Sequence, residues 1–118
     1  MINNSKVYDK AYALALKIVR IYQLLKEDNK EYVLSKQLLR SGTSIGANIS
    51  EANGAISDND FSAKMSISYK ESLETKYWLN LLKDTGYIDE QKFKELFDDT
   101  DEISRMLFSI IKTTRISK

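Results

Sequence analysis

The chain has 118 residues, 42% of them hydrophobic and 30% charged, and its 18 basic and 17 acidic residues give a net charge of +1. This balance predicts one soluble globular domain over residues 1–118; it excludes a disordered chain and the strongly basic charge of a dedicated nucleic-acid-binding domain. Cysteine and histidine are both absent, which excludes disulfides, thiolate metal sites and histidine chemistry.

The first half of the chain predicts two helices. Proline is absent and glycine occurs only four times, which favours long uninterrupted helices. The first helix is expected from about Ser5 to Lys26, where the polar segment 27–31 ends it. The second is expected from about Tyr32 to Asn53, with Gly54 placed as its C-cap.

Two further helices are expected in the second half. The third begins after Ser57 or Asp58, because Ser57 and Asp60 resemble a capping box, and it ends at Gly86. The fourth opens at Asp89, a good N-cap residue.

Four helices of similar length joined by short loops predict an all-α fold, an antiparallel up-down-up-down four-helix bundle. No segment alternates with the period of a strand. No run reaches the ~18–20 apolar residues of a membrane span, and no segment resembles a signal peptide. We therefore expect no membrane association and a cytoplasmic location.

The second helix carries two parallel stripes. Its apolar stripe has the three- and four-residue spacing of a buried helix face and comprises Leu34, Leu38, Ile45, Ile49, Ala52 and Ile56. Beside it runs a polar stripe that is uncharged until its last member and comprises Gln37, Ser41, Ser44, Asn48 and Glu51. Small neutral polar groups at this spacing indicate a surface that another helix approaches closely.

Two glycines of the second helix, Gly42 and Gly46, are four residues apart and share a face. They lie inside a helical pattern and not between a strand and a helix, so they do not form a phosphate-binding loop. Each mid-helix glycine costs roughly 1 kcal/mol relative to alanine, which close packing against a neighbouring helix would offset.

Polar residues also interrupt the apolar seam of the third helix, where Ser68, Ser72 and Thr75 follow Phe61 and Met65. Unpaired buried polar groups cost roughly 1–3 kcal/mol each, so these should be hydrogen-bonded. The side chains that could hydrogen-bond to one another are Ser44, Asn48, Glu71 and Ser72. Two interpretations of these polar residues remain open. They form either a hydrogen-bonded network that fixes the register of the helices or a site that binds a ligand.

The candidate catalytic carboxylates are Glu51, Glu71 and Glu74. A di-iron bundle would need Glu-x-x-His pairs, which the absence of histidine excludes. Glu71 is expected beside the buried seam, paired with a polar group of the second helix, and Glu74 near the surface. We expect no enzymatic activity, no bound metal and no cofactor.

The central run QLLRSGTSIGANISE, Gln37 to Glu51, resembles a bacterial four-helix-bundle family first recognised as proteins encoded in intervening sequences of 23S ribosomal RNA genes. The similarity extends over nearly the whole chain, through Ala52, Ser57, Asp60, Phe61, Lys64, Met65, Glu71, Glu74, Thr75, Tyr77, Trp78, Leu79 and residues 110–113. A more distant similarity is to the accessory protein of diversity-generating retroelements, a basic pentamer that binds nucleic acid and a reverse transcriptase.

The resemblance implies an antiparallel bundle that assembles as a homopentameric ring. It implies a signature for packing or assembly made of Gln37, Arg40, Ser41, Ser44, Asn48, Glu51, Glu71, Ser72 and Thr75. One function hypothesis is therefore a homo-oligomeric scaffold for a protein or nucleoprotein partner.

The alternative hypothesis is an RNA-binding protein associated with ribosomal RNA. Its candidate contacts are Lys10, Lys17, Arg20 and Arg40, although lysine stems also cover apolar surface on ordinary helix faces. Arg40 could equally form a salt bridge between subunits. A charge of +1 per chain gives only about +5 per pentamer, which weakens this hypothesis because phosphate neutralisation supplies most non-specific affinity.

Overall fold

The computed structural model describes residues 5–116 and, within them, the side chains of residues 6–114. Four helices account for the described fold: α1 (Ser5–Asp28), α2 (Leu34–Asn53), α3 (Asp58–Asp84) and α4 (Glu90–Ile116). No strand occurs within this part of the chain. The all-α prediction is therefore confirmed.

The helices pack in cyclic order into a rod of 48 × 21 × 19 Å. Each helix lies against its sequence neighbours, α1 also packs on α4, and the diagonal pairs of described helices do not meet. Contacts join the early part of one helix to the late part of the next, as when Gly46 lies against Ala11 and Lys10 pairs with Glu102. All adjacent helices are thus antiparallel, which confirms the up-down-up-down bundle.

The helix ends explain the observed boundaries. The Ser57 side chain accepts a hydrogen bond from the backbone N–H of Asp60 at 3.0 Å, so the predicted cap of α3 is present. Asp89 accepts from the N–H of Lys92 at 2.7 Å and caps α4. Gly54 follows α2 as its C-cap, as predicted.

The start of α2 depends on Glu31, which sequence reasoning placed in a polar break. Its buried carboxylate accepts the backbone N–H groups of Val33, Leu34 and Ser35 at 3.1, 2.9 and 2.7 Å. Burial acts to raise the pKa of Glu31, but these three hydrogen bonds and one with the Ser35 side chain outweigh it and hold the pKa below its ordinary value. The helix begins at Leu34, and not at Tyr32, because Glu31 satisfies its first N–H groups from outside.

The core is apolar along the length of the bundle, and each helix contributes residues that are almost inaccessible to solvent. Five members of the predicted α2 stripe face it, but Ile56 is 95% exposed. The expectation for Ile56 was wrong because α2 ends at Asn53 and the helical spacing no longer applies beyond that residue.

The glycines of α2 face α1, as the close-packing prediction required. A Cβ atom at Gly42 would lie 3.0 Å from both Cγ1 and Cγ2 of Ile18. One at Gly46 would lie 3.6 Å from Cβ of Ala11. Glycine therefore lets the two helices approach more closely at Gly42 than a Cβ atom would allow without a shift of Ile18.

Candidate functional site

A layer of buried hydroxyl groups crosses the middle of the bundle between α2 and α3. The Thr75 hydroxyl lies 3.1 Å from Oγ of Ser41 and 2.8 Å from the carbonyl oxygen of Glu71. Ser68 donates to the carbonyl oxygen of Ile45 at 2.8 Å. Both serines and Thr75 are fully buried, so these bonds satisfy groups that water does not reach.

The hydroxyl layer continues to α4 through Ser104, which the sequence analysis did not single out. Ser104 donates to Oγ of Ser72 at 2.7 Å, and Ser72 donates to the carbonyl oxygen of Tyr69 at 2.6 Å. The available signal was the position of Ser104 beside Ile103 and three residues before Leu107, within the apolar pattern of α4.

The polar stripe of α2 lies along the seam between α2 and α3. Ser41 is buried, Ser44 and Asn48 are half-buried, and Gln37 and Glu51 at its ends are exposed. Ser44 donates to the carbonyl oxygen of Arg40 at 2.6 Å, and Asn48 donates to that of Ser44 at 2.8 Å. The structure thus gives Asn48 a partner in its own helix, and not one of those expected across the seam.

Above the hydroxyl layer, Arg40 joins two carboxylates of α3. Its Nη1 lies 3.3 Å from Oε2 of Glu71, and its Nη2 lies 2.7 Å from Oε1 of Glu74. Trp78 donates its indole N–H to the same oxygen of Glu74 at 3.1 Å. The expected pairing of Glu71 with a polar group of α2 is therefore confirmed, and its partner is Arg40.

The pKa values of the two carboxylates in this cluster are shifted in opposite directions. Burial, followed by the hydrogen bond to Glu74, raises the pKa of Glu71, and Arg40 and Ser44 only partly oppose this shift. The hydrogen bond from Arg40, followed by that from Trp78, lowers the pKa of Glu74. Chemically, the arrangement is an ion cluster in which the single cation of Arg40, on α2, is shared by two carboxylates of α3.

A family model for the 23S rRNA-intervening sequence protein matches residues 3–109. The chain belongs to this family. A crystal structure of a protein with unknown function from the S23 ribosomal protein family of Bacteroides thetaiotaomicron VPI-5482, at 1.70 Å resolution, is 50% identical. The match covers 90% of this chain and 98% of that one, with a TM-score of 0.89. No curated protein matches the chain.

The basic residues singled out for RNA contact lie on different seams of this family bundle. Lys10 pairs with Glu102 at 3.2 Å, and Lys17 lies 2.7 Å from Asp99, all on the seam between α1 and α4. Arg40 lies on the seam between α2 and α3. Arg20 is exposed and forms no salt bridge with a described carboxylate. The structure does not bring the four together into one surface.

The seam between α1 and α2 differs from the other three seams of the bundle. Salt bridges join α1 to α4, α2 to α3 and α3 to α4, but no described salt bridge joins α1 to α2. Its outer surface is a trough of about 330 Å³ that contains Tyr8, Tyr12, Ala15, Thr43, Gly46, Ala47 and Ser50. We call this surface the α1–α2 trough.

Over residues 5–116, no helix is both long and apolar enough to cross a bilayer. The same residues contain no group of three or more aspartate or glutamate side chains placed to hold a metal ion.

Proposed function

We propose that this member of the 23S rRNA-intervening sequence protein family is a non-enzymatic, homo-oligomeric scaffold of the cytoplasm that assembles as a pentamer. The observation that carries the proposal is the uncharged α1–α2 trough on a chain of which 30% is charged. Tyr12 is 55% exposed there, and Leu16, one turn further along α1, is 48% exposed. Exposed apolar surface without charge is typical of the centre of a protein–protein interface.

The polar groups of the bundle interior support a structural role. The hydroxyls of Ser41, Ser68, Ser72 and Thr75 are hydrogen-bonded to each other or to backbone carbonyls, and none has a neighbouring side-chain base. A nucleophile needs a base within hydrogen-bond reach and access to substrate, and buried hydroxyls meet neither requirement. This layer is better suited to fixing the register of α2 against α3 and of α3 against α4.

Light scattering on the purified protein tests the assembly proposal. A pentamer has about five times the 13.6 kDa mass of one chain. A monomer at micromolar concentration would refute the scaffold. Ser44→Leu and Asn48→Leu should lower the thermal stability or change the mass, because each removes a hydrogen bond that a half-buried side chain of the polar stripe makes to a carbonyl of α2. Unchanged stability and mass in both variants would refute a role of the α2 polar stripe in packing or assembly.

RNA binding is the second candidate because a relative that is 50% identical is described as belonging to an S23 ribosomal protein family. Filter binding with structured ribosomal RNA at ~50 and ~200 mM salt separates the candidates, since phosphate contacts give a steep salt dependence. Binding that is absent at the lower salt would refute the RNA hypothesis. Arg20→Ala should weaken any binding more than Lys17→Ala does, because Lys17 already pairs with Asp99 and Glu95.

A further inference from the structure

A groove on the seam between α3 and α4 combines apolar and charged side chains. It has a volume of about 370 Å³, and its lining comprises Tyr69, Leu73, Lys76, Asp101, Ser104, Arg105 and Phe108. Clefts of roughly 300–1,000 Å³ in which apolar side chains surround a few polar groups are typical of small-molecule sites. We call this surface the α3–α4 groove.

The apolar part of the α3–α4 groove is accessible to solvent. The rings of Tyr69 and Phe108 lie with their centroids 5.8 Å apart and their planes tilted by 48°. Phe108 is 54% exposed, and Leu73 of α3 is exposed beside it. A flat aromatic body that covered these side chains would remove apolar surface from water and would contact a ring.

The charged part of the groove contains two cations and one carboxylate, which leaves a formal charge of +1. Oδ1 of Asp101 lies 2.6 Å from Nζ of Lys76, and Oδ2 lies 2.7 Å from Nη2 of Arg105. Each carboxylate oxygen therefore has its own cation within the chain. An anionic group, and not a cationic one, would balance the charge of the groove.

Arg105 is the cation that can accept a further anion. Its side chain is 81% exposed, and its contact with Asp101 uses only Nη2. Because a guanidinium has five N–H donors, Nη1 and Nε can still donate, and a carboxylate can accept two such bonds at once. Lys112 follows Phe108 by one helical turn, is exposed and forms no salt bridge with a described residue, so it adds positive charge at this end of the groove.

The acidic residues on the outer face of α4 lie on the other side of Arg105. Each of them pairs with a different cation: Asp98 with Lys94 at 2.8 Å, Asp99 with Lys17 at 2.7 Å and Glu102 with Lys10 at 3.2 Å. This pairing reduces their repulsion of a single anionic group at Arg105. A polyanion such as RNA fits less well, because its next phosphates would meet this acidic face.

We propose that the α3–α4 groove binds a small aromatic monoanion, such as an aryl carboxylate or sulfonate. Its anionic group pairs with Arg105, and its ring covers Phe108 and Leu73. The site is complete within one subunit, so it does not depend on the proposed scaffold.

Fluorescence titration of the full chain with anilinonaphthalene sulfonate tests the site, since this probe is an aromatic monoanion. Phenylnaphthylamine has the same rings without the sulfonate and reports the apolar contact alone. The protein should bind one anionic probe per chain, about two- to five-fold more tightly than the neutral probe, as expected for an exposed ion pair. Binding that does not saturate, or equal affinity for the two probes, would refute the anion site.

Two variants assign the two halves of the contact. Arg105→Gln should weaken the anionic probe by about two- to five-fold and leave the neutral probe unchanged. Phe108→Ala should weaken both probes by roughly ten-fold, because the ring supplies the apolar contact. If Phe108→Ala loses its helical circular dichroism, Leu73→Ala takes its place. Wild-type affinity in either half of the pair would overturn the proposal.

The matched controls remove an exposed cation or ring elsewhere. Lys94→Gln removes an exposed cation of α4, and Tyr32→Ala removes a ring as exposed as Phe108 from the loop between α1 and α2. Both should bind the probes as the wild type does. A loss as large as that of the groove variants would place the probe outside the groove and refute the site.

Light scattering on the same variants separates this inference from the scaffold proposal. The groove variants should keep the wild-type mass. A changed mass in Arg105→Gln or Phe108→Ala would refute the ligand site and assign the groove to a contact between chains. A monomeric wild type that still binds the anionic probe would refute the scaffold and support the site.

Discussion

Replacing each of the two α2 glycines by alanine should change the stability of the bundle in opposite directions. Both positions are helical, so alanine gains roughly 1 kcal/mol of helix propensity at either one. The two sites differ only in what the added Cβ meets on α1. At Gly46 the Cβ lies 3.6 Å from Cβ of Ala11, an ordinary van der Waals distance. Gly46→Ala should therefore stabilise the protein by about 1 kcal/mol.

At Gly42 the added Cβ lies 3.0 Å from Cγ1 and Cγ2 of Ile18, closer than ordinary packing allows. Ile18 is fully buried, so its side chain must shift by a few tenths of an ångström within the packed core to admit the Cβ. Overpacking a core of this kind costs about 1–3 kcal/mol. After subtraction of the propensity gain, Gly42→Ala should destabilise by about 1 kcal/mol, which separates the two variants by about 2 kcal/mol.

Urea denaturation at a fixed protein concentration measures both free energies of unfolding. In an Ile18→Ala background, which removes both Cγ atoms, Gly42→Ala should become stabilising by about 1 kcal/mol. An Ile18→Val background keeps both Cγ atoms and should not rescue the variant. Equal stability of Gly42→Ala and Gly46→Ala would refute the close approach of α1 and α2 at Ile18.

Three further predictions concern polar groups. Glu31→Gln should destabilise by about 1–3 kcal/mol in chemical denaturation, because a neutral amide caps α2 less well than a carboxylate. Since its folded-state pKa lies below the ordinary value, the contribution of Glu31 is present above the unfolded pKa and is lost as pH falls through the folded pKa. This reasoning would be contradicted if the unfolding free energy of Glu31→Gln fell with decreasing pH in the same way as that of the wild type. Glu71→Gln should be at least as stable as wild type at pH 7, because burial raises the pKa of Glu71 and its stability contribution falls as pH rises through that value. Glu74→Gln should instead lose about 1 kcal/mol, since its pKa is lowered, and equal melting temperatures for this pair would refute the assignment. Ser72→Ala should cost about 1–3 kcal/mol in a thermal melt and more than Ser104→Ala, because it leaves the buried Ser104 hydroxyl without its acceptor; the reverse order would refute that bond.

Much of the candidate site could be predicted from the spacing of polar residues along the sequence. The polar stripe of α2 and the interruption at Ser68, Ser72 and Thr75 were read at the correct positions, because helical periodicity places residues three and four apart on one face. The partners were not visible. Ser72 pairs with Ser104 of α4, 32 residues away, and no local pattern states which hydroxyl across a bundle reaches another.

By itself, the sequence determined the number of helices, most of their ends, the antiparallel order and the family. The helices and their order depend on local physics: the absence of proline, capping side chains such as Ser57 and Asp89, and apolar residues repeated at the helical period. The family follows instead from the resemblance carried by the run Gln37 to Glu51. Only the tertiary structure decided that Glu31 caps α2 from the loop, that Arg40 joins Glu71 to Glu74, and that no salt bridge among the described residues joins α1 to α2. The last two depend on how helices distant in the chain pack against each other, whereas the Glu31 cap depends on how the loop turns this side chain back onto the first N–H groups of α2. Periodicity shows that a helix has a face, but packing determines which neighbour that face meets.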